Sequence, residues 1–496
     1  MASRTETPKQ ARPQVGPNYK WLALSVTTLG AAMAAIDSSI VVLGIPTMMA
    51  DLHSDLVTMV WVLMGYILVS TITLLLFGRL ADMFGRVRLY NLGFGVFTFG
   101  SLLCALAGSG EQLVAFRLVQ GVGGAMLMAN SMAIITEAFP RGERGRAMGI
   151  NSVTWAVGGI LGPVAGGLIL AAASWRWIFL VNLPIGVIGT LWGYFALREL
   201  SEPRRGERFD ILGLVLFSGA ISCLLFGLSQ TIAWGWFSVP TLTLFGATIA
   251  LAALFVVTQR KRGTHFIDPA LFRSRVFAFS TAAGTLQSLS LFAVNFLVVF
   301  YLQAVLGQAP LSAALMILPL PIVQSIVGPI SGLVSDRFGS RPPASIGLVL
   351  QALGCILLAR LGPSSTYIDL LPGLIVLGIG GGLFWAPNTS AAMSAAPPQR
   401  LGVASATLAT FRQTGMVTSF ALALAVAAAA LPANVAGGLF LGTSSALGGP
   451  GMASFSVGMA HALVVSAVIA LGASAMTILA GETRVRSAAV APAGER

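Results

Sequence analysis

GRLADMFGRVR, residues 78–88, has a shortened counterpart in GLVSDRFG at 332–339, 254 residues further on. A second string, QGVGGAMLMA at 120–129, returns as LGIGGGLFWA at 377–386, 257 residues on. Two offsets of nearly equal size and the same direction mark a chain built from two parallel halves, a construction common among membrane transporters. On either side of both loops the sequence is a succession of apolar runs of about 20 residues, the length a helix needs to cross the hydrocarbon core.

The composition agrees with that setting. Of 496 residues 56% are hydrophobic and only 9% charged, with mean hydropathy +0.86, whereas a soluble domain carries roughly 25% charge. The net charge of +12 does not point to nucleic acid, because the basic residues sit in short clusters between apolar runs. Lysine occurs only at positions 9, 20 and 261, and the arginine, alanine and glycine richness hints at a GC-rich bacterial genome. Cys104, Cys223 and Cys355 stand singly inside apolar stretches, so neither a disulfide nor a metal site is expected.

Spans are expected near 21–47, 57–78, 88–108, 111–139, 146–172, 176–198, 211–229, 238–258, 276–305, 311–334, 343–361, 368–394, 402–431 and 454–480. With the N-terminus inside, the cytoplasmic segments collect Arg79, Arg86, Arg88, Arg141, Arg144, Arg146, Arg198, Arg204, Arg205, Arg208, Arg260, Lys261, Arg262, Arg273, Arg275, Arg337, Arg341, Arg400, Arg484 and Arg486, and the outer loops hold almost none. An even number of spans with both termini cytoplasmic follows. The expected fold is therefore an all-α polytopic membrane protein: two six-helix bundles plus two inserted helices, fourteen transmembrane helices in all. Its divisions are a cytoplasmic tail at 1–20, a first bundle at 21–200, the inserted pair at 201–262, a second bundle at 263–482 and a tail at 483–496. The Gly/Ala-rich stretch at 432–453 is expected outside the membrane on the outer face.

Four groups of residues carry chemistry. In the 78–88 loop, Gly78 and Gly85 permit a tight turn, Asp82 and Arg86 can pair with charges on neighbouring helix ends, and Glu137 is a partner for Arg86; Asp336 holds the place of Asp82 in the repeat. AAIDSSIVVLGIP at 34–46 places Asp37 inside the first span. A carboxylate there costs about 2.5–3.5 kcal/mol on insertion scales, so it must face the bundle interior. FRLVQGVGGAML at 116–127 places Arg117 inside the fourth span, where it can pair with Asp37. GGILGPVAGG at 158–167 sets Gly158 and Gly162 on one helix face and follows them with Pro163.

Together these strings resemble those of the major facilitator superfamily, and in particular its fourteen-helix drug:proton antiporters. The 78–88 loop is similar to that superfamily's signature loop, which latches the halves together, although Val87 stands where a basic residue is common. Arg117 matches the helix 4 arginine implicated in proton coupling, and Gly158, Gly162 and Pro163 match the antiporter motif of exporters. SWRWIFLVNLPIG at 174–186, RFDILG at 208–213, FIDPALFRSRVF at 266–277 and TFRQTG at 410–415, which contains Arg412, extend the resemblance over nearly the whole chain from residue 30.

The resemblance implies alternating access driven by protons, with Asp37 changing protonation as the cavity changes sides. Burial favours the neutral acid and a neighbouring guanidinium the carboxylate. Small apolar or cationic compounds are the expected cargo, and an endogenous lipid or metabolite is the alternative. Candidate cargo contacts are Trp61, Tyr66, Trp155, Gln287, Asn295, Phe384, Trp385, Asn388 and Arg412. An enzyme is not expected, since His53, His265 and His461 lie far apart without ligand spacing; nor is a channel, since no pore loop or charged ring recurs. No cofactor is expected beyond the proton gradient, and the partners are a small-molecule substrate, protons and the bilayer of the plasma (inner) membrane, with the protein acting as a monomer.

Overall fold

Glycine decides where these helices can touch. The computed structural model describes residues 18–140, 143–200, 210–261, 267, 269–397, 401–429 and 449–480. The expected terminal tails and most of the 432–453 loop lie outside the described residues. The first half runs through α1 (Tyr19–Asp51), α2 (Leu56–Phe84), α3 (Arg86–Ala105), α4 (Gly110–Ala138) and α5 (Arg144–Ala172). It ends in a broken rod of α6 (Trp177–Leu180) and α7 (Asn182–Ala196). A hairpin follows, α8 (Ile211–Trp234) and α9 (Val239–Lys261). The second half begins with α10 (Arg275–Phe300), extended by a π turn at Tyr301–Val305, then α11 (Pro310–Ile317) and α12 (Pro319–Phe338). It closes with α13 (Arg341–Leu358), α14 (Tyr367–Ser394), α15 (Leu401–Ala429) and α16 (Gly449–Leu479). No strand occurs among the described residues.

Against the fourteen spans the sequence predicts, twelve helices among the described residues are long and apolar enough to cross a membrane. The other two long helices are α5 and α15, each of 29 residues; α5 offers only Val157–Ala172 as a shorter apolar stretch.

The repeated glycine strings have a physical cause. In the first half, α3 and α4 cross so closely that a Cβ on Gly123 would overlap the backbone nitrogen of Phe97, and one on Gly100 would lie 2.7 Å from that of Gln120. In the second half, α13 and α14 use the same device: a Cβ on Gly380 would lie 2.6 Å from Gln351 N, and one on Gly347 2.6 Å from Gly380 O. QGVGGAMLMA and LGIGGGLFWA are thus the same crossing made twice, by removal of side chains where backbones meet. Helix starts are fixed locally: Asp55 accepts from Thr58 N at 2.8 Å to cap α2, Ser109 from Gln112 N at 3.3 Å to cap α4, and Thr366 with Asp369 forms a capping box on α14.

The halves touch away from the end that carries 78–88. Gln303 Nε2 donates to Leu43 O at 3.2 Å, and a Cβ on Gly167 of α5 would lie 2.7 Å from Leu311 Cα of α11. At mid-depth Thr71 of α2 donates to Gln413 Oε1 of α15 at 3.1 Å, and Gln413 reaches Met128 Sδ at 3.5 Å. The hairpin packs against α15 and α2 through α8.

Candidate transport site

Asp37 lies halfway along α1 and is 0% exposed; Arg117, about two turns into α4, is 1% exposed. Arg117 Nη1 donates to Asp37 Oδ2 at 2.7 Å. The other carboxylate oxygen accepts from Gln120 Nε2 and from Asn182 Nδ2, each at 2.9 Å. Arg117 is further held by Gln120 Oε1 at 2.6 Å and, through Nε, by Val62 O at 3.1 Å. Ser101 ties the amides together, accepting from Gln120 at 3.2 Å and Asn182 at 3.0 Å while donating to Phe179 O at 2.9 Å. Aromatic faces close the pair off, with Arg117 Cζ 4.3 Å from the Tyr66 ring centroid and 5.8 Å from that of Phe179. Four helices and the α6–α7 break therefore converge on one carboxylate. A buried pair of charges is tolerable only when the remaining donors and acceptors are satisfied in this way; one orphan remains, Asn182 Oδ1, buried and without a partner.

The 158–167 string lies against α1 on either side of Asp37. A Cβ on Gly158 would lie 2.5 Å from Ala35 Cβ, one on Gly162 would overlap Ser39 Oγ, and one on Gly166 would lie 2.8 Å from Ile40 Cγ1. Ser39 Oγ donates to Gly158 O at 3.1 Å. A face of bare backbone, four residues per step, so lets α5 sit directly on the segment of α1 that holds the carboxylate, and Pro163 in the same turn has no N–H to contribute to the helix ladder.

At the 78–88 loop, Arg86 Nη1 lies 2.5 Å from Glu137 Oε1. Gly85 has φ 106°, in the region glycine tolerates best, and beside it the carboxylate of Glu199 accepts from Arg86 N at 2.7 Å and Val87 N at 3.1 Å. Glu199 thus caps α3 from the segment after α7. Gly78 has open space around it. The side chains of Asp82, Asp336 and Trp155 lie outside the described residues. Replacing Glu199 by Ala removes an acid from a helix N-terminus, a change of roughly 1 kcal/mol. Its expected result is a several-fold lower transport rate with cargo affinity unchanged, read by kinetics in vesicles.

The remaining candidates separate into groups. Tyr66 belongs to the Asp37 site. Trp61 turns away from it, its Nε1 3.3 Å from Ser229 Oγ of α8 and its ring 6.4 Å from Phe226, so the hairpin occupies its indole. Gln287 is buried in the second half, donating to Gln351 Oε1 at 3.0 Å, and Asn388 donates to Ser280 O at 3.1 Å. Asn295 is partly exposed on α10. Phe384, Trp385 and Arg412 do come together: the two rings are 5.6 Å apart and Arg412 Cζ lies 5.4 Å from the Trp385 centroid. Among the described residues no group of three or more His, Cys, Asp or Glu could hold a metal ion.

Three residues of these networks escape a reading of the sequence: Asn182, Ser101 and Glu199. Asn182 leaves a faint signal as the one amide in the apolar run 177–189.

The Major Facilitator Superfamily model matches residues 27–420. The chain is 33% identical over 407 residues to the riboflavin transporter RibZ of Clostridioides difficile (strain 630), covering 82% of this chain and 87% of that protein. It is 34% identical over 415 residues to the multidrug resistance protein Stp of Mycobacterium tuberculosis (strain CDC 1551 / Oshkosh), covering 84% and 77%. In three dimensions it is similar to the crystal structure of a bacterial homolog to the human lysosomal transporter Spinster in an inward-facing, unoccupied conformation, with a TM-score of 0.66 over 94% of this chain and 98% of that one, at 16% identity.

Proposed function

This chain belongs to the Major Facilitator Superfamily, and we propose that within it the protein is a proton-coupled antiporter that exports small organic compounds. It is a multi-pass membrane transporter and not an enzyme. The observation that carries the proposal is the Asp37–Arg117 pair, a carboxylate buried among four helices where only a function compensates the cost of placing it. Protonation of Asp37 removes the charge that holds Arg117 Nη1 and weakens the acceptor shared by Gln120 and Asn182. The same proton therefore alters contacts on α1, α3, α4 and α7 at once. The bare-backbone face of α5 packs directly on the stretch of α1 beside Asp37, so a shift of α1 is passed to α5, and rocking of the halves carries the cavity from one side to the other.

In this reading α5 and α15 also span the membrane, α8 and α9 are a pair inserted between two six-helix bundles, and fourteen spans leave both termini in the cytoplasm of a monomer. This is the layout of the fourteen-helix drug:proton antiporters. No cofactor takes part; the proton gradient supplies the work. Export of drug-like compounds draws support from the similarity to a multidrug resistance protein. The apolar cargo class is better supported than the cationic one, because both oxygens of Asp37 are already engaged. A second reading, export of an endogenous metabolite, is favoured by the similarity to a riboflavin transporter.

The test is the purified protein in proteoliposomes with an imposed pH gradient, offered ethidium, neutral biocides and riboflavin in parallel. Movement of at least one compound against its own gradient, abolished by an uncoupler, is the expected result. Transport that is indifferent to the uncoupler rules out proton coupling.

A further inference from the structure

The second half contains one more charge at membrane depth, and it is of the other sign. Arg412 lies eleven residues into α15, roughly 16 Å along the helix at about 1.5 Å per residue, in a hydrocarbon core about 30 Å thick. Trp385, nine residues from the end of α14, reaches the same depth and lies under its guanidinium. Unlike Arg117, Arg412 has no carboxylate partner among the described residues. From 263 to 482 the chain holds only Asp268, Asp336, Asp369 and Glu482. Of these, Asp369 is spent on the capping box at the other end of α14 and Asp336 belongs to the final turn of α12, while Asp268 and Glu482 fall in the sequence outside the apolar runs. Asp37, the acid at comparable depth in the first half, is committed to Arg117. Among the described residues Arg412 makes no ion pair or hydrogen bond, and the Trp385 ring is its one charge-stabilising contact.

The surface beside it is built for water rather than lipid. Ala386, Thr389 and Ser390 are exposed on one face of α14, with Trp385 one turn behind Thr389. The hydroxyls of Thr389 and Ser390 give this face of α14, beside Trp385, polar groups that a cavity can solvate. Arg412 is itself only partly buried. An arginine in a span that lacks an acid, keeps some accessibility and rests on an indole is a receptor for an anion that arrives from outside the chain.

We propose that Arg412 and Trp385 form a cargo subsite for the anionic group of a flat, largely apolar compound, the carboxylate or sulfonate meeting the guanidinium and the ring system lying along Trp385. The inference rests on the export reading for the direction of travel, and it narrows the cargo to aromatic or similarly planar organic anions.

The experiment measures equilibrium binding to the purified full chain in phosphatidylcholine nanodiscs, without any gradient, so that a failure of proton coupling leaves it unaffected. The probes are 1-naphthoate, 1-naphthalenemethanol and 1-naphthylmethylamine, which share a ring and differ in charge. The wild type is expected to bind naphthoate at least tenfold more tightly than the alcohol, with the amine weakest. R412Q is expected to erase the preference for naphthoate while leaving the affinity for the alcohol within about twofold, and R412K to keep part of it. Equal binding of the three probes by the wild type overturns the proposal, and so does a naphthoate preference that survives in R412Q. Phosphatidylglycerol in the nanodiscs tests the other source of an anion: if it displaces naphthoate from the wild type, the site belongs to a lipid headgroup and the cargo assignment fails. Should R412Q not fold, the ranking of the probes on the wild type still decides.

Discussion

Asp37→Asn is expected to yield a folded protein in which transport driven by a pH gradient falls at least a hundredfold, while exchange of cargo across membranes with no gradient persists. The reasoning starts from what the substitution leaves in place. Asparagine is isosteric with aspartate and keeps an acceptor for Gln120 and Asn182, and Arg117 retains Gln120 Oε1 and Val62 O. What disappears is the charge facing Arg117 Nη1, together with the ability to gain and lose a proton. Removing one member of a buried pair usually destabilises by about 3–5 kcal/mol, because the other charge is left unpaired. If protons drive the cycle, however, the neutral form of Asp37 is a state the protein visits in every turnover, so its surroundings must tolerate it. The variant copies that state permanently. A pH-gradient assay in proteoliposomes, run beside a zero-gradient exchange assay, separates the two losses. Full gradient-driven transport by the variant would remove Asp37 from the coupling mechanism, and loss of both activities with a monodisperse protein would make it a structural residue.

How much of this was visible in the residues alone depended on what each feature demands. The repeated loop and glycine strings were legible because a close helix crossing permits one residue type and because charges cannot be scattered through apolar runs. Asp37 and Arg117 stood out for the same reason, being charges where lipid-facing segments carry none. Their pairing was a matter of complementarity and was found as such, at 2.7 Å. Asn182, Ser101 and Glu199 were not legible, because serines and amides are common in such helices and a surface glutamate is indistinguishable from a topogenic neighbour. Their roles depend on the α6–α7 break, which turns Asn182 inward, and on the return of the chain after α7 to the start of α3. Trp61 shows the converse limit. Its place on α2 suited a cavity, but the hairpin α8–α9 packs against that face, and nothing in the α2 sequence records where the hairpin lies.

The α5 string permits the sharpest separation of packing from chemistry, because two of its glycines, three residues apart, stand in opposite surroundings. At Gly162 a Cβ would overlap Ser39 Oγ and lie 3.1 Å from Ile36 O, whereas at Gly159 it would meet nothing within 4 Å. Both are helical, so valine brings each the same small gain in helix propensity over glycine. Gly162→Val alone must push α5 away from α1, and it does so within one turn of Asp37. Over-packing of this kind costs about 1–3 kcal/mol when side chains can yield. Here the opposing atoms include the α1 backbone, so the upper part of that range or more is expected. The midpoint of thermal unfolding in detergent should therefore drop by several degrees for Gly162→Val and stay put for Gly159→Val. Transport should follow the same split, with export by Gly162→Val reduced to background, because displacement of α1 breaks the alignment of Asp37 with Arg117 and Asn182. Gly162→Ala, which adds the Cβ alone, should fall between them. If valine at 159 and 162 behave alike, close contact between α5 and α1 is not what the glycines provide, and the link from the Gly158–Pro163 string to the carboxylate fails with it.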